Sequence, residues 1–252
     1  TDPRETRLTL IRIYPDFEVF EGLSEEDKSW LIARDFGICN GWRVNFAVDE
    51  RGASFGSSGS SADVSSELDR LLLGKLRSLA DIIVTSGKTA RAEKYRSSKH
   101  APIAIFSKSG HLDTVPAIQG TQYFTPLVLT PAPEVDRLEY ELSDVDVRVL
   151  GYGQQSDSRA WPLQIADLLR HEGFQSPILE SGLSTIREFI DSGVIDEICL
   201  TVSHATSSQI SSREVTRANL GEIFGSTFDF ELLNLSSDGN STFSRWRRGS
   251  SN

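Results

Sequence analysis

Apolar positions recur along the chain with two periods. Short runs of β-branched and aliphatic residues predict strands at "RLTLIRI" (7–13), "WRVNFAV" (42–48), "ADIIVT" (80–85), "PIAIFS" (102–107), "PLVLT" (126–130), "VDVRVL" (145–150), "PILES" (177–181) and "IDEICLTVS" (195–203). Between them lie helical patterns: "SEEDKSWLIARDF" (24–36), "ELDRLLLGKLRSL" (67–79), "RAWPLQIADLLRHEG" (159–173) and "TIREFIDSG" (185–193). Ser24 with Asp27, and Ser66 with Asp69, have capping-box spacing. Asp157 and Ser158 precede the third helical pattern, and Gly173 fits its C-terminal cap. The end of the chain, "FDFELLNLSSDGNSTFSRWRR", predicts two strands around an Asp-Gly turn. Strands alternate with helices to about residue 203 and a hairpin follows, which predicts an α/β fold: a mostly parallel sheet with an antiparallel C-terminal hairpin at its edge. No linker, repeat or compositional break divides the chain. The Gly/Ser-rich stretch "DERGASFGSSGSSADVSS" (49–66) is expected to be a long loop or flap.

Charge narrows the partners. The 252 residues carry a formal net charge of −10, and so acidic a surface repels phosphate backbones, which argues against nucleic acid. The basic "RWRR" (245–248) reads as the solvated end of a last strand. Two cysteines, Cys39 and Cys199, and four scattered histidines form no zinc-ligand spacing. No apolar run is long enough to span a bilayer and no signal peptide is recognisable, so the expected location is the cytoplasm, with no membrane partner.

Three motifs invite chemistry and fail on spacing. Gly87-Lys88-Thr89 after a strand is reminiscent of a phosphate-binding P-loop, but that motif needs a glycine where this chain has Ile82, inside the strand. "GASFG" (52–56) would make Ser54 a hydrolase nucleophile, yet no helix can start directly after it. "GYGQQS" (151–156) lacks the third glycine of a dinucleotide fingerprint. What remains is a pair of strand-to-helix loops of small polar residues, "VTSGKT" and "ESGLST". Both bring backbone N–H groups and a helix start to one sheet edge, where a phosphate is favoured.

Together these pieces resemble the riboflavin-pathway pyrimidine reductases, the reductase part of the bifunctional deaminase–reductase. The resemblance runs from about Trp42 to the end. "NFAVDERG" (45–52) stands where that family has N-x-x-x-S-x-D-G. Asp69-Arg70, Leu76-Arg77 and "ADIIVTSGKTARAE" follow, then "ESGLSTIREFIDSGVIDEICLTVS" for the family's E-G-G-P-x-L, helix and D-E. The resemblance implies a dihydrofolate-reductase-like three-layer fold over residues 42–252, with 1–41 as an extension packed on it. It implies a homodimer that uses NADPH to reduce the ribose carbon of a phosphorylated ribosylamino-pyrimidine. Cofactor residues would be Asn45, Ala47, Ser86, Gly87, Thr89, Glu180, Ser181, Gly182, Leu183, Ser184 and Thr185. Substrate residues would be Asp49, Arg51, Arg91 and Glu93. No deaminase zinc motif is present, so a stand-alone reductase is implied. Asp49 and Arg51 replace the family's serine and aspartate, and Leu183 its proline. These departures leave open a different substrate, or a homologue that binds nucleotide without turnover.

Overall fold

In "DIIVT" the alternation becomes geometry: Ile82 and Val84 pack into the core on one side of a sheet, and Ile83 into the core on the other. The computed structural model describes residues 9–50, 52, 66–120, 122–153, 159–204, 217–225 and 229–249. Its strands are β1 (Thr9–Tyr14), β2 (Glu18–Glu21), β3 (Trp42–Asp49), β4 (Ile82–Ser86), β5 (Ile103–Phe106), β6 (Leu127–Pro131), β7 (Arg148–Tyr152), β8 (Pro177–Leu179), β9 (Ile195–Ser203), β10 (Phe230–Ser237) and β11 (Ser241–Arg248). Its helices are α1 (Glu25–Asp35), α2 (Glu67–Leu79), α3 (Gly87–Ala92), α4 (Pro116–Gln119), α5 (Val135–Glu141), α6 (Trp161–His171), α7 (Leu183–Asp191) and α8 (Arg217–Phe224).

The strands form one sheet in the order β2-β1-β10-β11-β9-β3-β8-β4-β5-β6-β7. From β9 to β7 every pairing is parallel; β11, β10, β1 and β2 continue the sheet antiparallel. Helices α6, α7 and α8 bury Ile165, Leu169, Phe189 and Phe224 on one face, and α1, α2 and α5 bury Leu31, Leu72, Leu76 and Leu138 on the other. Each such side chain contributes roughly 1.5–3 kcal/mol of burial free energy. This is the α/β fold with a mostly parallel sheet that the sequence predicts, in the three layers the resemblance implies; the C-terminal hairpin, expected at the edge, lies inside the sheet because β1 pairs with β10 and carries β2 outside it.

Of the two expected capping boxes, one closes in full and the other by its serine half. Ser24 completes its box with Asp27. Ser66 accepts from the Asp69 N–H, while the buried Asp69 carboxylate accepts from the Thr201 hydroxyl at 2.6 Å and so ties α2 to β9. Gly173 adopts φ +96° after α6, a backbone conformation that favours glycine. Asp157 and Ser158 lie outside the described residues; α6 starts on Ala160 without a side-chain cap. Cys39 and Cys199 are both free and buried. Among the described residues no helix is long and apolar enough to cross a membrane, and no cluster of His, Cys, Asp and Glu suits a metal.

Strand β8 fixes where a ligand can enter. It lies between β3 and β4. The connection from β3 to β4 runs through α2 on one face, and that from β8 to β9 through α7 on the other. Connections that leave a parallel sheet in opposite directions open a crevice at the C-terminal ends of the strands between them.

Candidate functional site

Thr89 joins the two loops at that crevice. Ser86 ends β4 and caps α3: its Oγ accepts from the Thr89 N–H at 3.1 Å and donates to Thr89 Oγ1 at 2.9 Å. The Gly182 N–H donates to the same Thr89 oxygen at 3.3 Å, and Ser181 Oγ lies 3.4 Å from it. Gly87 serves packing, because a Cβ there would come within 3.2 Å of Ser107. Gly182 is different. Its φ is −67°, and a Cβ built on it meets nothing within 4 Å. It is also the N-cap of α7 and supplies no side-chain cap, so the first N–H groups of that helix point outward without one. Leu183 and Thr185 are half-buried on that first turn, and Ser184 is exposed.

Beside these loops lies a cleft of about 460 Å³. Asn45 and Ala47 of β3, Asp69 and Arg77 of α2, Thr89, the turn 93–97, and residues 180–182 line it. Asn45 Oδ1 is buried without a hydrogen-bond partner, an acceptor whose lost hydration costs roughly 1–3 kcal/mol until a donor arrives.

The wall is built around Glu180. Its carboxylate receives Arg77 Nε at 2.9 Å and Nη2 at 2.6 Å, and the Tyr95 hydroxyl at 2.5 Å. The Arg77 guanidinium also stands 5.5 Å over the Tyr95 ring. Burial, and then the Glu180 charge, push the Tyr95 phenol well above its usual range. For Arg77, burial works against the charged form, but the Glu180 charge and hydrogen bonds more than reverse this and raise its pKa.

Of the residues singled out from sequence, Asn45, Ala47, Thr89, Glu93, Glu180, Ser181 and Gly182 line this one cleft. Ser86 adjoins it through its bonds to Thr89, with Gly87 next in sequence, and Leu183, Ser184 and Thr185 form the start of α7 that follows Gly182. Arg91 is not among the lining residues; its guanidinium donates to the His111 carbonyl at 2.6 Å. Asp49 ends β3 opposite Ser203 of β9, and Gly52 closes a turn back to its carbonyl at 2.9 Å. Arg51 and Ser54 lie outside the described residues. Arg77, Lys94, Tyr95 and Arg96 also line the cleft but were not singled out. Only Arg77 left a signal, as part of the Leu76-Arg77 motif.

A model of the RibD C-terminal domain matches residues 49–205, more than half of the chain. A search of curated proteins returns no match. Among solved structures, a pyrimidine reductase-like protein from Corynebacterium diphtheriae is 24% identical, with 87% of this chain and 99% of that one covered at a TM-score of 0.62. RibD of Acinetobacter baumannii is 17% identical, with 89% and 62% covered and a TM-score of 0.60. A deaminase/5-amino-6-(5-phosphoribosylamino)uracil reductase from Thermotoga maritima is 14% identical, with 88% and 60% covered and a TM-score of 0.58. The chain therefore spans about three-fifths of these last two proteins. The structural likenesses show the fold. The family match runs from the end of β3 through both loops of the cleft to the end of β9, and by it the chain belongs to the RibD C-terminal domain family, as a divergent member of the riboflavin-biosynthesis reductases.

Proposed function

We propose that the protein is an NADPH-dependent reductase that delivers hydride to the ribose carbon of 5-amino-6-(5-phosphoribosylamino)uracil, opening the sugar to a ribityl chain. Family membership supports the reaction class. The observation that carries the cofactor reading is the open space over Gly182 at the N-terminus of α7, which has no side-chain cap. A phosphate there would receive the N–H groups of residues 183 and 184 and the Thr185 hydroxyl, the Gly182 N–H being held by Thr89 Oγ1. Ser86 and Gly87 support the loop that Thr89 ties to Gly182. Asn45 and Ala47 form the floor beside it, and Asn45 Oδ1 would accept an N–H or O–H from the ligands. The cofactor supplies the hydride; the chain supplies position, charge and exclusion of water. On the substrate side, Glu93 lies in the cleft with Lys94 and Arg96, and Asp49 and Arg51 complete the reading from sequence. In the same reading the protein works as a cytoplasmic homodimer on a small molecule, without nucleic acid or membrane. Titration calorimetry with NADPH, followed by NADPH oxidation in the presence of the uracil intermediate, tests it.

A second reading keeps the reaction and changes the substrate. Arg51, where the family has aspartate, has donors only and favours an anionic group over a neutral ring that needs an acceptor. Arg51→Asp is then expected to raise turnover of the uracil intermediate. Full wild-type activity, unchanged by the substitution, contradicts that idea.

A further inference from the structure

The turn after α3 adopts a backbone that its residue disfavours. Lys94 has φ +49°, in the left-handed region. That conformation closes a Schellman turn: the Tyr95 N–H donates to the Ala90 carbonyl at 2.9 Å, and the Lys94 N–H to the Arg91 carbonyl at 3.3 Å. The reversal packs the half-buried Tyr95 ring against the core at the wall of the cleft. There the phenol reaches Glu180, whose own N–H continues the β8–β4 ladder to the Val84 carbonyl at 2.9 Å. The next two residues are Ser181 and Gly182. One hydroxyl on the 93–97 rim thus bears, through one carboxylate, on the start of α7.

The carboxylate is held from two sides. One oxygen takes Arg77 Nε from α2, and the other takes both Arg77 Nη2 and the Tyr95 hydroxyl. Charge-assisted bonds of this kind are stronger and more directional than neutral ones. Phenylalanine at 95 would keep the ring, its contact with Arg77 and the buried volume, and would remove only the link between the rim and Glu180.

We propose that Tyr95 is a positioning residue of this site: through Glu180 it holds the Ser181–Gly182 loop in register with the 93–97 rim, so that the ligands on the two sides meet. The inference rests on the reductase reading and adds a residue to it. The test is a double-mutant cycle of Tyr95→Phe and Glu180→Gln, read by NADPH affinity in calorimetry, by kcat and KM on the uracil intermediate, and by thermal melting. Tyr95→Phe is expected to weaken NADPH binding about tenfold, the equivalent of one lost hydrogen bond to a charged group, and to lower kcat more than it raises KM. Its melting temperature should stay within about 2 °C of wild type. In the Glu180→Gln background the same change should add little, because the two residues act as a unit. Wild-type affinity and kcat in Tyr95→Phe, or effects that simply multiply in the double variant, would overturn the positioning role and leave Tyr95 a core residue. If Tyr95→Phe melts too low to assay, Glu180→Gln alone decides: a comparable loss of NADPH affinity supports the role, and wild-type affinity overturns it. A folded wild type that binds no NADPH sinks the reductase reading itself, and the positioning role with it.

Discussion

At the scale of single residues, the two glycines of the cleft loops answer to different constraints. Gly87 is required by its neighbours, since a Cβ would press on Ser107 and Leu112. Gly182 has neither positive φ nor a close neighbour, and on the proposed reading the space it keeps clear is the ligand's. Gly182→Val should therefore raise the dissociation constant for NADPH more than about tenfold while moving the melting temperature by less than about 2 °C. Parallel losses of binding and melting temperature would make the glycine structural. Lys94 gives the opposite case. Relieving its left-handed backbone by Lys94→Gly should gain roughly 0.5–1 kcal/mol, the strain released less the extra freedom glycine has when unfolded. The gain is read as a melting temperature raised by about 1–3 °C. An unchanged or lowered melting temperature would mean that the lysine side chain repays its backbone cost through contacts.

At the scale of elements, the end of α1 shows how charges far apart in sequence fasten one element to another. Arg43 of β3 donates to the Gly37 carbonyl at 2.7 Å, and Arg245 of β11 to that of Asp35 at 3.3 Å. Both guanidiniums also converge on the buried Glu197 of β9, which Arg247 joins. Burial alone would raise the Glu197 pKa. Hydrogen bonds from Arg245 and Arg43, with their charges, more than offset that and hold it at about 2, against 4.5 for an ordinary glutamate. A depressed carboxylate stabilises the fold above its unfolded pKa, and that stability is lost as pH falls through the folded one, so the window here is about pH 4.5 down to 2. The depression corresponds to about 3 kcal/mol. Urea unfolding at a series of pH values should show this acid loss. Glu197→Gln should be less stable at pH 7 and show a shallower acid limb; an unaltered limb would place the acid sensitivity elsewhere. The sequence makes α1 readable, because Ser24 and Asp27 sit within one turn. It cannot show Glu197 as the anchor, because its partners lie 154 and 48 positions away. The cleft divides the same way. Its loops are legible as small polar residues after apolar strands, and β4 excludes the P-loop by placing Ile82 inside a strand. The Arg77–Glu180–Tyr95 wall depends on a contact across 103 positions. The turn that delivers Tyr95 follows a helix of six residues, too short for a periodic signal.

At the scale of the whole molecule, a chain of net charge −10 repels polyanions in general and admits an anion only where N–H groups and cations gather. On the proposed reading the C-terminal ends of β3, β4 and β8 are such a place: the start of α7 supplies N–H groups, and Lys94 and Arg96 supply positive charge beside Asp69 and Glu93, while Arg77 is neutralised by Glu180. The most direct test is calorimetric titration with NADPH on the intact protein, followed by its oxidation with the uracil intermediate. The account predicts saturable binding at one site per chain and one NADPH consumed for each ribityl product formed. Absence of saturable binding up to millimolar NADPH, in protein shown to be folded, would contradict it.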